Sequence, residues 1–331
     1  MLSGNSTSYN NPWYMNSYIN GNYYVEIDAR LGTKKYRALR QGEDFCAEFP
    51  DSIDLKITDK CSIGCPFCHE SSTPRGNTAD LRLLQRVLGQ LPQGFPIEIA
   101  LGGGDILECP TLTLPLIKWL KEDQGRIVAG TFNVRSLLRN LTEDDTKIIR
   151  SLDSIGISIT RQLTVEEKNA LCMYISCATS WVYHVILGII SPTDLRNILM
   201  DVTPWSDRVL ILGYKQFGRG RSMNPLTPEL ITEYRDIIWE VSQEKSNLTY
   251  ANTKRMKHIK AIGFDNLALE QLDLKNHIHP QVWEKLYLGD EFTNTMYVDG
   301  VKGEFAPTSR STERVSWNNI GLVEYFKKNH K

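Results

Sequence analysis

The sequence predicts an α/β fold built on a parallel sheet, and three observations carry that expectation. Short apolar strands alternate with amphipathic helices at intervals of about thirty residues, the helix starts carry capping residues, and the unit recurs about six times. Parallel strands need long crossovers, which helices supply, and right-handed crossovers let such a sheet stay open or curl into a barrel. The rhythm alone leaves a doubly wound sheet and a barrel both open.

Taken in order, Tyr18-Ile19 and Tyr23-Tyr24-Val25 flank Asn20-Gly21-Asn22, a turn signal that predicts a hairpin, so residues 1–50 are read as an N-terminal β-hairpin extension. Residues 52–58 alternate apolar and polar side chains as a half-buried strand does. Leu81, Leu84, Leu88 and Leu91 then recur at helical spacing, with Asn77 and Thr78 able to cap. Further strands are expected near 97–101, 126–132, 154–159, 181–190 and 208–214, each followed by a helix signal. Thr164-Val165-Glu166-Glu167 spells a capping box, while Ser191-Pro192 and Thr227-Pro228 place a cap before proline at the first helical position. These units fill residues 51–246. Residues 247–331 carry a strand, two short helical stretches and a second hairpin signal from Met296 to Val301, read as a C-terminal α/β cap or extension.

A chain of 331 residues with 41% hydrophobic content can bury a sizeable core. No stretch approaches the ~18 consecutive apolar residues of a membrane helix, and residues 1–20 are polar, unlike a secretory signal, so the expected compartment is the cytoplasm and no membrane partner is expected. A formal net charge of −1 gives no overall basic field, so nucleic acid is not indicated. Seven cysteines, three of them bunched, do not make a disulfide framework in a protein of this size.

The bunched three are Cys61, Cys65 and Cys68, in C-x3-C-x2-C spacing. A closed four-iron cluster takes four protein thiolates, so three leave one iron open, and a metal with an open position is one that does chemistry. Rival readings exist. Cys65-Pro66-Phe67-Cys68-His69 also spells the c-type haem attachment signature, but no export signal accompanies it. A structural zinc needs a fourth ligand, and His69 adjoins Cys68 in a poor geometry for joint binding. A dithiol at Cys65 and Cys68 leaves Cys61 unexplained. A non-catalytic zinc or iron–sulfur module is the alternative to an enzyme.

With Phe67 before the last cysteine, this motif resembles that of the radical S-adenosylmethionine (radical SAM) superfamily. The resemblance implies a partial (βα)6 TIM-like barrel, a [4Fe-4S] cluster on Cys61, Cys65 and Cys68, and SAM chelated by the open iron. It further implies reductive cleavage of SAM to a 5′-deoxyadenosyl radical that abstracts hydrogen from a substrate. A flavodoxin- or ferredoxin-type electron donor and sensitivity to oxygen follow from the same resemblance.

Reactive groups of such folds sit at the strands' C-terminal ends. Gly102-Gly103-Gly104-Asp105 resembles the family's Gly-Gly-Glu element, which holds the SAM amino group, with Asp105 where Glu is expected. Asn133 resembles the strand-end asparagine that faces SAM. Ser158 and Thr160, on one strand face, are candidates for the ribose or carboxylate of SAM, and Arg161 for pairing with the carboxylate. Gly213 and Tyr214 correspond to the strand end that meets adenine. His184, in an apolar strand, and Lys215, Arg219 and Arg221, on a glycine-rich loop, are candidate substrate residues, guanidinium forks being suited to carboxylate or phosphate. Cys172 and Cys177 are candidate hydrogen-atom donors; Cys46 and Cys109 repeat no ligand spacing. The substrate is read as a small anionic, nucleotide-like or amino-acid-like molecule, or a peptide. The shortness of residues 1–50 counts against a dedicated leader-peptide recognition domain, and no second cysteine cluster or cobalamin-binding segment is evident.

Overall fold

A computed structural model of the chain describes residues 15–28, 33–175, 180–201, 208–251, 261–287 and 289–329. The N-terminal hairpin forms from β1 (Met15–Asn20) and β2 (Tyr23–Asp28), with Gly21 and Asn22 at the turn. Gly21 has φ +61° and a Cβ there would lie 1.8 Å from the Cys46 carbonyl oxygen, so the turn requires glycine. A third antiparallel strand, β3 (Thr33–Ala38), completes a small sheet. Its residues are too charged to have stood out by apolar alternation.

This sheet is tied to the main body by one buried carboxylate. Asp51 accepts hydrogen bonds from Tyr18 Oη (2.8 Å), Tyr23 Oη (2.5 Å) and Asn20 Nδ2 (2.8 Å), and Lys34 Nζ pairs with Glu98 at 2.6 Å.

The main sheet has ten strands. Seven run parallel in chain order: β4 (Ser52–Thr58), β5 (Glu98–Gly103), β6 (Ile127–Asn133), β7 (Ser154–Ser158), β8 (Ser180–Ile186), β9 (Arg208–Leu212) and β10 (Ala261–Phe264). On the far side of β4 lies a further parallel strand, β11 (Thr295–Asp299). It turns back into β12 (Glu304–Ala306), which pairs with β13 (Val315–Ser316). The six expected strands are therefore present, and the parallel run extends past them. Residues 261–264 and 295–299, in the segment expected as a cap or extension, are strands of the same sheet, and the second hairpin signal is the β11–β12 turn. Both strands are too short to show the βα rhythm.

Helices α1 (Leu81–Leu88), α2 (Pro110–Lys118), α3 (Val134–Leu137), α4 (Glu143–Ser151), α5 (Val165–Ile175), α6 (Pro192–Met200) and α7 (Pro228–Ala251) follow the strands. The capping box before α5 closes through Thr164 N to Glu167 Oε2 (2.9 Å) and Glu167 N to Thr164 Oγ1 (3.2 Å), and Ser191 caps α6. Asp80, rather than Asn77 or Thr78, caps α1, because those two residues pair with the end of β4 instead.

The strands divide cleanly into two faces. Ile53, Leu55 and Ile57 of β4, Ile99 and Leu101 of β5, Val128 and Phe132 of β6, and Ile155 and Ile157 of β7 are buried in the core with helix residues such as Leu84, Leu116, Ile148, Leu195 and Tyr234. The alternate residues include many small or polar side chains, among them Asp54, Ala100, Gly102, Ala129, Thr131, Asn133, Ser158 and His184, together with apolar Ile127, Val182, Ile186, Leu210 and Leu212, and much of this face is half-exposed. The inside of a closed eight-stranded barrel is instead filled with branched apolar layers.

Removing the acceptor that three buried donors share should be costly. Asp51→Ala is expected to lose about 3–5 kcal/mol of unfolding free energy, measured by chemical denaturation, from the unsatisfied Tyr18, Tyr23 and Asn20 groups. A loss below about 1 kcal/mol would contradict this anchoring role.

Candidate functional site

The three cysteines lie in the long irregular segment between β4 and α1, at the C-terminal edge of the sheet. Irregular backbone there must satisfy its polar groups without a ladder. It does so first by folding back on itself: Asp59 N donates to Asn77 O (2.7 Å), Thr73 N to Asp59 O (3.0 Å), and Cys61 N to Thr73 O (3.0 Å). It is then stitched to the end of β5, where Gly104 N donates to Thr58 O and Asp105 N to Lys60 O, both at 2.7 Å. A Cβ on Gly103 would lie 2.4 Å from Thr58 O, and one on Gly104 would lie 2.0 Å from Lys60 O. The expected Gly-Gly-Gly element thus has a definite task, which is close approach to the cysteine loop.

A second fastening comes from the loop after β9. Arg219 Nε donates to Cys65 O (2.9 Å), its Nη1 to Ser72 O (2.8 Å), and its backbone N–H to Cys68 O (3.0 Å). Gly218, at φ +54°, sits so close that a Cβ would be 2.6 Å from Cys68 O. Arg219 is therefore spent on the cysteine loop rather than offered to a substrate. The planar guanidinium, with donors fixed in a fork, reaches two carbonyls of the loop at once.

Lys56 is the third fastening. Only 4% of its side chain is exposed, and its Nζ lies 2.6 Å from Asp59, 2.7 Å from Glu70 and 3.5 Å from Asp299. One ammonium thereby joins the start of the loop, its middle and the end of β11. Burial opposes the Lys56 charge, but the carboxylates outweigh it and raise its pKa. Burial likewise would raise Glu70; the adjoining His69 and Lys56 overcome this and hold its carboxyl well below the usual range. Tyr297 Oη donates to Glu70 Oε1 at 3.1 Å. Beside this hub opens a cavity of about 350 Å³, walled by Lys56, Glu70, Phe217, Gly218, Asp299 and Arg314.

The remaining expected residues separate into groups. Asn133, Ser158 and His184 stand opposite one another across β6, β7 and β8, in one row on the half-exposed face. The His184 ring covers Gly156, where a Cβ would lie 2.3 Å from Cε1, and burial lowers its pKa to about 4, so the imidazole is neutral at pH 7. Thr160 is exposed just beyond β7. Arg161 pairs bidentately with Glu167, at 2.9 and 2.7 Å, and turns to the start of α5. Asp105 is buried, accepts from Leu107 N at 3.0 Å, and has its carboxyl pushed up by burial. Gly103 and Gly104 are taken up by the cysteine loop, which leaves Gly102 as the open part of the Gly-Gly-Gly element, where a Cβ would meet empty space.

At the end of β9, Gly213 packs against Leu267 of α8 (Asn266–Gln271), and its amide donates to Asp265 at 2.9 Å. Tyr214 exchanges both backbone hydrogen bonds with the Gln271 amide, at 2.8 and 2.9 Å, and its hydroxyl donates to Gly220 O. Lys215 donates to Ser309 Oγ at 2.8 Å. Arg221 is exposed. Phe67 is half-buried, with its carbonyl 3.1 Å from where a Gly220 Cβ would stand.

Of the other cysteines, Cys109 is buried beside Thr113, and Cys46 is exposed. Cys172 lies in α5 within electrostatic range of Tyr183, whose ring belongs to the covered face, so it stands behind the sheet rather than over its open side. Cys177 lies outside the described residues.

Three residues that sequence reasoning passed over gather here. Arg135 Nη2 donates to Ile63 O at 3.1 Å and lies 3.5 Å from Cys65 Sγ. Lys56 could have been noticed as a charge inside a strand. Asp54, at the middle of β4, occupies the half-exposed face; surrounding protein still pushes its carboxyl up, with the charge of Lys215 opposing.

The donor set suits a multinuclear cluster better than a single ion. Cys61, Cys65 and Cys68 are free and half-buried on one fastened loop, while His69 turns its Nε2 to Glu70 at 3.4 Å. Among the described residues no three His, Cys, Asp or Glu side chains converge as the ligands of one ion. Burial pushes the Cys61 thiol up, and Asp105 and Glu108 add to this, so a bound cationic centre would have to supply the compensation.

No protein-family model and no curated protein sequence matches the chain. Among solved structures, SuiB of Streptococcus suis bound to S-adenosylmethionine superposes with a TM-score of 0.66, over 96% of this chain and 87% of that one, at 8% identity. The chain has the fold of SuiB. A second SuiB structure matches with a TM-score of 0.63 and 10% identity over the same shares. SuiB bound to its precursor peptide SuiA matches at 0.60 and 13%, over 86% of this chain and 66% of that one. At such identities the likeness to SuiB establishes a mixed α/β architecture with a large, mostly parallel sheet. Among the described residues no helix is long and apolar enough to cross a membrane.

Breaking the Lys56 hub should leave buried carboxylates uncompensated. Lys56→Met is expected to cost about 3–5 kcal/mol in urea unfolding at pH 7. The folded pKa of Glu70 lies below its unfolded value, so its contribution is complete above the ordinary carboxylate range and drains as pH falls toward the folded value. The difference between variant and parent should accordingly shrink between pH 7 and pH 3. An unchanged difference would contradict the charge pairing.

Proposed function

We propose that this chain is a radical SAM enzyme with the partial (βα)6 barrel of that superfamily, in which Cys61, Cys65 and Cys68 hold a [4Fe-4S] cluster. The observation that carries the reading is the fastening of a C-x3-C-x2-C loop, by three separate elements, over the strand ends of a SuiB-like sheet. The bound cluster and SAM would supply a 5′-deoxyadenosyl radical able to abstract hydrogen from a substrate C–H bond.

The chain's own residues bind, orient and exclude water. Cys61, Cys65 and Cys68 would hold the cluster through three thiolates, and the iron without a protein thiolate would be the one to bind SAM. Gly102 presents open backbone to that cofactor, and Ser158 and Thr160 offer hydroxyls at the end of β7. Gly213 and Tyr214 form the wall where adenine would rest. The face carrying Asp54, Ala100, Ala129 and His184 is the inner wall of the barrel, and its small side chains leave room for a substrate. We assign residues 51–246 to the radical SAM core, 1–50 to the N-terminal extension and 247–331 to the C-terminal region.

The substrate class that best fits is a peptide or a peptide-borne side chain. SuiB was solved with a precursor peptide, and the half-exposed face here carries small and polar residues, among them Ala100, Gly102, Thr131 and Ser158, that leave room beside the strand ends. This reverses the weight placed on the short N-terminal segment. A flavodoxin- or ferredoxin-type protein would deliver the electron.

The test is anaerobic. Protein reconstituted with iron and sulfide, then given SAM and dithionite, is expected to release 5′-deoxyadenosine, and Cys68→Ala to lose cluster absorbance and product together. Cluster-loaded protein that releases none would overturn the proposal.

A further inference from the structure

The three thiols do not share one environment. Cys65 Sγ lies 3.5 Å from Asn133 Nδ2 and 3.5 Å from Arg135 Nη2, whereas among the described residues no side-chain donor reaches the sulfur of Cys61 or Cys68. Both donors are held in place. Asn133 Oδ1 caps α3 by accepting the Arg135 N–H at 3.0 Å, which leaves only the amide NH2 to face sulfur. Arg135 Nη2 is shared with Ile63 O at 3.1 Å, inside the same cysteine loop.

We infer that Asn133 and Arg135 are positioning residues that set the reduction potential of a cluster bound through Cys65, by donating two hydrogen bonds and one positive charge to that thiolate. This rests on the cluster reading given under Proposed function. Hydrogen bonds to the sulfurs and the local charge are the protein's principal levers on such a potential. Uptake of one electron from a one-electron reductant adds a unit of negative charge with no proton transferred and no bond broken. A guanidinium and an amide N–H stabilise that extra charge, so they raise the potential and ease reduction. At effective dielectrics between about 20 and 80, a unit charge several ångströms away is worth on the order of tenfold in the reduced-to-oxidised ratio. Tenfold corresponds to about 59 mV for a one-electron couple.

Asn133 also shows why the expected contact with SAM has a competitor. Its oxygen is taken by the helix and its nitrogen by Cys65, so its role is exercised through the thiolate.

The experiment is a redox titration of reconstituted protein, followed by electron paramagnetic resonance with dithionite and mediator dyes, without substrate. Arg135→Gln keeps a donor but loses the charge; Arg135→Lys keeps the charge; Asn133→Ser keeps a helix-capping oxygen but loses the amide donor facing sulfur, with no charge added. With full iron content verified, Arg135→Gln is expected to shift the midpoint to more negative values by about tenfold in ratio, and Arg135→Lys and Asn133→Ser in the same direction by less. A purely structural role would leave Asn133→Ser at the parental midpoint. One midpoint shared by all four proteins overturns the inference while the cluster reading stands. Loss of the cluster from Arg135→Gln alone, with Asn133→Ser unshifted, overturns it as well. A parent that takes up no cubane removes both.

Discussion

The arrangement depends on holding an irregular loop rigid where no ladder is available. The backbone between Thr58 and Leu81 carries all three bunched cysteines, and a loop of this kind frays unless its carbonyls and amides are paired. Arg219 takes the Cys65 and Ser72 carbonyls, the amides of Gly104 and Asp105 take those of Thr58 and Lys60, and Lys56 gathers Asp59 and Glu70. Each fastening starts from a different strand, β9, β5 and β4. The thiols are thus placed by the sheet itself, and a site built on rigid strands holds its geometry better than one on a free loop.

The second consequence of the strand pattern is a sheet with unequal faces. Ile, Leu and Val at one set of positions bury against the helices, which supplies the stability. Alanine, glycine, serine and a few polar residues at the alternate positions contribute little to packing and leave room over the other face. Gly156 illustrates the division, since its missing side chain lets the His184 ring lie flat on β7 and stay neutral. The face that is least useful for stability is the one open to a ligand.

Much of this was legible beforehand. The βα rhythm, the caps at Thr164 and Ser191 and the cysteine spacing are local signals, each set by residues near in sequence. The hairpin signal at residues 296–301 is the β11–β12 turn; what escaped is that β10 and β11 extend the parallel sheet, since four or five residues cannot establish a period, and β3, because its side chains are charged. The site was harder. A glycine-rich loop suggests Arg219 as an anion clamp, and the resemblance offers Arg161 to the SAM carboxylate, but a guanidinium also binds carbonyls and internal carboxylates: Arg161 meets nearby Glu167, and Arg219 meets carbonyls 147 and 154 residues away. Arg135 and the Lys56 hub are of the same kind: Arg135 lies seventy residues from Cys65, and Asp299 is brought to Lys56 only by the pairing of β11 with β4.

The most direct measurement of the central claim is Mössbauer spectroscopy of protein reconstituted with 57Fe, recorded with and without SAM. Three protein thiolates on one fastened loop predict a [4Fe-4S] signal in which a single iron changes its parameters when SAM is added. Four irons that remain alike in the presence of SAM, or a chain that assembles no cubane, would contradict the account.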